Sequence, residues 1–182
     1  NILAGETIAV VGCGPIGIGI IKLAQISGAK VIAIDTNEQR LKFAKDQIGV
    51  DYILKAGDST IKQVIEITNG DLCDAVFDAS GNKYALESCP DYMSHGGRFV
   101  LVGLYKGELT YMHPKVHAKE MTLICSRNAN IEDFEYVISV INQFPTESFI
   151  THNVSLTEMI EDFDSWLDPE SGVMKATVNF NS

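Results

Sequence analysis

The chain has 182 residues, of which 46% are hydrophobic, so it is long enough to bury a core and too apolar to be disordered. Its 14 basic residues against 24 acidic residues give a net charge of -10. This balance argues against nucleic acid and anionic membranes as partners, because both require a positively charged protein surface.

Strands and helices are predicted to alternate from the start of the chain. Thr7–Val11 is a continuous apolar run, typical of a strand buried on both faces of a parallel sheet. Pro15–Ser27 has a helical pattern. The inward face of that helix is predicted to carry Ile16, Ile20, Leu23 and Ala24.

The same alternation continues to Cys125. It predicts strands at Lys30–Asp35, Asp51–Leu54, Asp74–Asp78, Arg98–Val102 and Met121–Cys125, and helices at Glu38–Gln47, Asp58–Thr68 and Lys83–Met93. Asp58 and Ser59 are suited to cap their helix, and Gly96-Gly97 is predicted to form the turn into the fifth strand. Alternating elements with right-handed crossovers predict an α/β fold, a doubly wound six-stranded parallel Rossmann sheet.

The pattern changes after Cys125. Helices are predicted at Ile131–Phe144 and Leu156–Leu167, and strands at Phe149–Val154 and Met174–Phe180. This tail is too short to form a domain with a core of its own, so we expect it to pack against another part of the protein.

The cysteines bear on location and on metal binding. The four are far apart, and none forms the close pair that metal sites use. Three of them lie in or beside apolar strands, which favours buried, reduced thiols and a cytoplasmic protein. The longest uncharged run, Ile8–Ile21, is too short to span a bilayer and is broken by Gly and Pro, and no signal peptide is recognisable.

Three glycines mark the junction of the first strand with the first helix, in Gly12-Cys13-Gly14-Pro15-Ile16-Gly17. Gly12 allows a tight turn, Gly14 lets the backbone approach a diphosphate, and Gly17 lets the helix close onto the strand. Pro15 suits the first turn of a helix, whose amides and dipole attract phosphate. The sequence therefore predicts a nucleotide cradle, with a turn needed for packing alone as the alternative.

Asp35 ends the second strand, roughly twenty residues beyond the glycines, where an acid can bind both ribose hydroxyls of an adenosine. The alternative is a helix-capping aspartate, because Thr36 and Asn37 follow. A ribose-binding carboxylate would repel a 2′-phosphate and so favours NAD over NADP. Arg40 would stack on the adenine or be an ordinary solvated arginine, and both interpretations stay open.

Five segments in this order carry a family resemblance: "GCGPIG", "DTNEQR", "DAVFDASG", "GGRFVLVGL" and "SRNAN". Together they resemble the cofactor half of the zinc-containing medium-chain alcohol and polyol dehydrogenases, which include sorbitol, threonine and sugar-acid dehydrogenases. The resemblance extends over essentially the whole chain, including the tail.

The resemblance implies roles for matching positions. Ile16 would contact the diphosphate, and Asp35 and Arg40 would hold the adenosine. The other implied cofactor positions are Ala79 and Ser80 along the cofactor, Val102, Gly103 and Leu104 along the nicotinamide, and Ser126, Arg127 and Asn128 on the nicotinamide and phosphate side.

By this resemblance, the N-terminal catalytic domain that holds the zinc ligands and most of the substrate pocket in such enzymes is expected to lie outside this chain. The expected organisation is an NAD-binding Rossmann domain at 1–128 and a C-terminal segment at 129–182 that returns toward the absent domain. No catalytic residue and no metal ligand is expected in this chain. His113 and His117 are four residues apart, but no third ligand or family motif supports a metal there.

The implied activity is hydride transfer between NAD and a secondary alcohol of a polyol, sugar or sugar acid, with zinc held elsewhere in the full-length protein. The resemblance also implies a homodimer, joined along the edge of the sixth strand. The main alternative is a stand-alone regulatory Rossmann module that senses a nucleotide. A zinc-free quinone or enoyl reductase also stays open, although Asp35 suits NADPH poorly, and a methyltransferase that uses S-adenosylmethionine ranks last.

Overall fold

Residues 2–168 and 171–180 are described by the computed structural model of the chain. The main sheet contains β1 (Thr7–Val11), β2 (Lys30–Asp35), β3 (Tyr52–Lys55), β4 (Cys73–Asp78), β5 (Met93–Leu101) and β6 (Thr122–Cys125). The helices between them are α1 (Pro15–Ile26), α2 (Glu38–Phe43), α3 (Thr60–Ile67), α4 (Lys83–Ser88) and α5 (His113–Ala118). A π-helical turn at Ala44–Ile48 extends α2, and a 3₁₀ turn at Cys89–Tyr92 extends α4.

The six strands lie in the order β3-β2-β1-β4-β5-β6, and every neighbouring pair is parallel. The α/β fold with a doubly wound six-stranded parallel sheet is therefore confirmed. Strands β1 to β3 are added in one direction across the sheet and strands β4 to β6 in the other, so the order reverses between β1 and β4. At such a position, doubly wound sheets leave a crevice at the carboxyl ends of their strands.

Apolar side chains cover both faces of the sheet. On one face, Ile8 and Val10 of β1 pack with Ile18 and Ile21 of α1. On the other face, the core is formed by Ala9, Val11, Val64, Leu86 and Phe99. Fully burying one large apolar side chain stabilises the fold by about 1.5–3 kcal/mol relative to leaving it exposed. The two clusters therefore stabilise the sheet that positions the loops at its carboxyl edge.

The inward face of α1 differs from the predicted one. Ile16 is exposed and Ile20 and Leu23 are only partly buried, whereas the buried positions are Gly17, Ile18, Ile21 and Ala24. The reason is a contact that periodicity does not reveal. A Cβ at Gly17 would overlap the carbonyl oxygen of Gly12, so the helix must turn Gly17 toward the strand, and the rest of the face follows from that position.

Two further local predictions were wrong. Strand β5 begins at Met93, so Gly96 and Gly97 lie within it rather than in a turn before it. Its pairing with β4 jumps from Cys73–Met93 to Ala75–Arg98, and Gly96 adopts the left-handed φ of 71° that this bulge requires.

Neither Asp58 nor Ser59 forms a side-chain cap on α3. The hydroxyl of Thr60 accepts a hydrogen bond from the Gly57 amide at 2.8 Å instead. The turn before α3 is therefore held by the side chain of Thr60, the residue that follows the predicted pair Asp58 and Ser59.

The tail contains α6 (Ile131–Val140), α7 (Thr146–Phe149), β7 (His152–Ser155), α8 (Leu156–Trp166) and β8 (Ala176–Asn179). Strands β7 and β8 form a separate parallel pair, and Phe149, predicted to start a strand, ends α7 instead. The predicted segment 129–182 also contains 169–170 and 181–182, which lie outside the described residues. Capping boxes at Asn130 and Ser155 start α6 and α8.

The apolar side chains of α6 and α8 face outward. Those of Ile131, Phe134, Ile138 and Ile160 are 62–71% exposed. Large exposed apolar surfaces mark places where a protein meets another protein part, and these side chains are candidates for such a surface. Within 2–168 and 171–180, no helix combines the length and apolar character needed to cross a bilayer.

Candidate functional site

The carboxyl ends of β1 and β4 meet at a tight backbone contact. Ala79 donates an amide hydrogen bond to the Val11 carbonyl at 2.8 Å, and Gly12 donates one to Ile34 at 2.8 Å. Gly12 has a left-handed φ of 96°, and a Cβ there would lie 2.8 Å from the Ser80 amide nitrogen. Glycine is therefore required at position 12 by the backbone geometry and by the neighbouring strand.

Gly14 differs from Gly12 and Gly17. Its φ of -72° and ψ of -173° are accessible to any residue, and the nearest atom to a Cβ placed there is Arg40 Nη1, at 3.9 Å. Nothing in the described residues thus explains a glycine at this position. The open space in front of it faces the start of α1, which begins without a side-chain cap and has Pro15 in its first turn. Such a helix start offers unpaired amides to an anion.

Asp35 lies beside this loop and is 8% exposed. Its Oδ2 accepts a hydrogen bond from the Cys13 amide at 2.6 Å, and its Oδ1 accepts one from the Asn37 amide at 2.8 Å. The cap of α2 is Asn37, whose side-chain oxygen accepts from the amides of Gln39 and Arg40. Asp35 is therefore not the helix cap, and a carboxylate retains further acceptor positions after two hydrogen bonds.

Arg40 is half-buried on α2, and its guanidinium is the group that approaches the open side of Gly14. It takes part in none of the ion pairs found among the described residues. A small pocket of about 90 Å³ lies beside it, lined by Asn37, Gln39, Arg40, Phe43 and Gly172–Met174. The tail thus reaches the edge of the site through Gly172–Met174.

A larger pocket of about 290 Å³ opens at the ends of β5 and β6. Its lining includes five positions singled out in the sequence: Val102, Gly103, Leu104, Ser126 and Arg127. Ala79 and Ser80 stand between this pocket and the glycine loop, because a Cβ on Gly12 would touch both. Asn128 has a left-handed φ of 63° and is exposed beyond this lining.

Asp78 is a site residue that the sequence analysis missed. Its side chain is fully buried, and its two oxygens accept hydrogen bonds from the Ser80 hydroxyl at 2.6 Å and the Gly81 amide at 3.0 Å. An aspartate that closes an apolar strand directly before a Ser-Gly turn was the available signal.

The buried cysteines are poor nucleophiles and poor metal ligands. Burial, assisted by the charge of Asp35, raises the pKa of the Cys13 thiol well above its ordinary value. Burial likewise raises the pKa of Cys73 to about 12. Both thiols stay protonated at neutral pH, whereas the reactive and metal-binding form is the thiolate.

The histidines at positions 113 and 117 lie on α5 with ring centroids 5.5 Å apart. In the part of the chain that the structure describes, no group of three His, Cys, Asp or Glu side chains could hold a metal ion.

Comparison with known proteins adds a family and two kinds of relative. A model of the family described as zinc-binding dehydrogenase matches residues 15–143. L-galactonate-5-dehydrogenase of Escherichia coli (strain K12) is 31% identical over 181 residues, which cover 98% of this chain and 53% of that protein. An NAD-dependent alcohol dehydrogenase of Sulfurisphaera tokodaii is 30% identical over 163 residues, covering 88% of this chain and 47% of that protein.

A solved structure of 2R,3R-butanediol dehydrogenase from Bacillus subtilis superimposes with a TM-score of 0.89. It is 24% identical and matches 100% of this chain and 52% of that one, so it supports the fold alone. The chain spans about half the length of the curated relatives it matches.

Proposed function

The chain belongs to the zinc-binding dehydrogenase family, and from this premise we propose that it is the NAD-binding part of an alcohol or polyol dehydrogenase. The proposed organisation is a Rossmann domain at 1–128 followed by a segment at 129–182 that packs on a catalytic domain outside this chain.

The observation that carries the proposal is the pairing of Gly14 with Asp35. Gly14 has no Cβ although the chain itself leaves room for one. The buried carboxylate of Asp35 accepts a hydrogen bond from the amide of Cys13, the residue next to Gly14. A diphosphate in front of Gly14 and a ribose on Asp35 would use both features. The printed name of the Sulfurisphaera tokodaii relative, an NAD-dependent enzyme, supports the same cofactor.

Each group of residues then has a physical task. The amides at the start of α1 hold the diphosphate, and Arg40 adds a positive charge beside it. Asp35 binds the ribose hydroxyls and disfavours a 2′-phosphate by charge repulsion. The pocket lined by Val102–Leu104, Ser126 and Arg127 receives the nicotinamide, which exchanges a hydride with the substrate when NAD is bound, and Asn128 lies just beyond this lining.

Zinc, which the family description names, does not fit the described residues of this chain, because they offer no ligand group. We expect the zinc ligands, the proton relay and the pocket for a secondary alcohol of a polyol, sugar or sugar acid to lie outside this chain. The outward-facing apolar side chains of α6 and α8 support this division, since they provide a surface for such a domain.

Titration of NADH into the purified chain, followed by calorimetry, tests the proposal. We expect saturable binding of NADH that is tighter than binding of NADPH, and no alcohol oxidation with or without added zinc. Failure to bind NADH would overturn the proposed function, and zinc-stimulated alcohol oxidation by the chain alone would overturn the division of labour.

A homodimer is part of the same proposal. Strand β6 lies at the edge of the sheet, and all four of its residues are exposed, Leu123 by 49% and Ile124 by 39%. An exposed edge strand with apolar side chains favours pairing with a second copy. Sedimentation should show a dimer for the purified chain and a shift toward monomer for Leu123→Lys. A wild-type monomer would contradict the proposal.

A cytoplasmic location also stays a prediction. All four cysteines are free, which supports a reducing compartment.

A further inference from the structure

Asp78 is a fully buried carboxylate with no ion pair among the described residues. Burying a charged group is unfavourable unless hydrogen bonds replace the lost water. Here the replacements come from two consecutive residues of one turn. The Ser80 hydroxyl donates at 2.6 Å, the Gly81 amide at 3.0 Å, and the Ser80 amide makes a longer contact at 3.4 Å.

The backbone of Asp78 binds a second loop. Its carbonyl oxygen accepts hydrogen bonds from the amides of Val102 at 3.0 Å and Gly103 at 2.8 Å. Gly103 lies so close that a Cβ there would be 2.6 Å from Asp78 Oδ2, and a Cβ on Gly81 would be 2.7 Å from the Leu104 carbonyl oxygen. One residue therefore fixes the turn after β4 against the loop after β5.

The turn held by Asp78 also separates the two halves of the site. On one side it touches Gly12 of the glycine loop (residues 12–17), and on the other it touches Gly103 and Leu104 of the pocket of about 290 Å³. Gly81 packs directly against the backbone of Gly103 and Leu104, which line that pocket, so a displacement of the turn is expected to move this part of the lining.

We propose that Asp78 is a positioning residue that sets the nicotinamide half of the cofactor site through the Ser80-Gly81 turn. The inference rests on the proposed NAD-binding function. In this proposal, Asp78 acts on the nicotinamide end of the cofactor only through the turn it holds, whereas Asp35 binds the adenosine end directly.

The experiment compares two ligands on the purified chain: NADH, and ADP-ribose, which carries the adenosine and the diphosphate but no nicotinamide. In Asp78→Asn, one side-chain oxygen becomes an amide that cannot accept a hydrogen bond. We expect the dissociation constant of NADH to rise about tenfold or more and that of ADP-ribose by less than about threefold. Thermal unfolding of each variant shows that it is folded.

Asp74→Asn is the matched control. Asp74 lies at the opposite end of the same strand, where its Oδ2 accepts from the Thr7 amide at 2.8 Å. It should leave both dissociation constants unchanged. Ser80→Ala should reproduce the selective loss of NADH, and the double variant with Asp78→Asn should bind NADH no more weakly than Asp78→Asn alone, because both changes remove the same interaction.

Several results would overturn the inference. Equal losses for NADH and ADP-ribose would mean that Asp78 supports the fold as a whole, and additive effects of the two substitutions would mean that Ser80 acts independently. Unchanged NADH binding in Asp78→Asn would exclude a positioning role. If Asp78→Asn does not fold, the ligand ratio of Ser80→Ala decides the question. An unmodified chain that binds neither ligand would overturn the proposed function and this inference together.

Discussion

Acidic side chains at the amino-terminal edge of the sheet form hydrogen bonds or an ion pair with residues of the strands. Acidic side chains at the carboxyl-terminal edge form hydrogen bonds with the loops that follow the strands. At the first edge, Asp74 accepts from the Thr7 amide, Asp51 accepts from the Val31 amide at 2.9 Å, and Glu6 pairs with Arg98 at 2.6 Å. At the second edge, Asp35 and Asp78 accept from amides of the loops that follow β1 and β4.

The two edges also differ in what the backbone leaves open. The amino-terminal acids connect different strands of the sheet and are therefore expected to act on stability. The carboxyl-terminal acids hold two loops. One contains Gly14, a position where the described residues leave room for a Cβ, and the other packs against the lining of a pocket of about 290 Å³. The same residue type thus supports the frame at one edge and shapes a site at the other, and paired substitutions can test this distinction.

The largest expected effect on binding is that of Asp35→Ser. Under the proposed function, Asp35 binds the ribose hydroxyls, so its loss should weaken NADH binding by about 2 kcal/mol, roughly 30-fold, and narrow the preference for NADH over NADPH. Asp51→Ser should instead lower the free energy of unfolding by about 1 kcal/mol and leave NADH affinity unchanged. Calorimetric titration and urea unfolding measure the two quantities. An unchanged NADH to NADPH ratio in Asp35→Ser would show that Asp35 only orders the loop.

A smaller effect is expected from Gly14→Ala. The added methyl group fits the free chain but occupies the space in front of the diphosphate cradle, so NADH affinity should fall about tenfold while stability changes by less than about 1 kcal/mol. The matched control is Gly19→Ala on the same helix, where a Cβ meets nothing within 4 Å. It should stabilise the chain by about 0.5–1 kcal/mol without affecting NADH, since alanine favours helix. Equal losses of affinity in both variants would refute the cradle.

Sequence alone predicted the frame well because the frame depends on local patterns. Strands β1 and β2 begin and end at the predicted residues, since buried parallel strands are continuous apolar runs. Helix α5 was missed because none of its residues is buried, so no apolar period marks it. The four-residue helix α7 is one turn, too short for any period to show.

The site was only partly predictable from the sequence for a related reason. Gly12, Gly14 and Asp35 follow a known spacing, and their order on the chain predicts their proximity. The contact between Asp78 and Gly103 depends instead on the pairing of β4 with β5, which no local pattern specifies. The cofactor roles of the predicted site residues stay predictions until the titrations are done.

The smallest effect concerns the Glu6–Arg98 pair at the amino-terminal edge. Burial alone raises the pKa of Glu6, but the hydrogen bond and charge of Arg98, together with the Leu3 amide, outweigh it and lower the pKa below 4.5. A carboxyl group whose pKa is lowered by folding stabilises the folded state above its unfolded pKa, and this stabilisation is lost as the pH falls through its folded pKa.

Glu6→Gln should therefore lower the free energy of unfolding by about 1 kcal/mol or less at pH 7. The difference from the unmodified chain should shrink as the pH falls below 4.5, as measured by urea unfolding at a series of pH values. NADH affinity at pH 7 should be the same in both proteins, because the pair lies at the edge of the sheet opposite the cradle. If the difference in unfolding free energy persisted in full at the lowest pH, Glu6 would act through packing and not through its charge. Weaker NADH binding by Glu6→Gln would contradict the distinction between an edge that affects stability and an edge that affects binding.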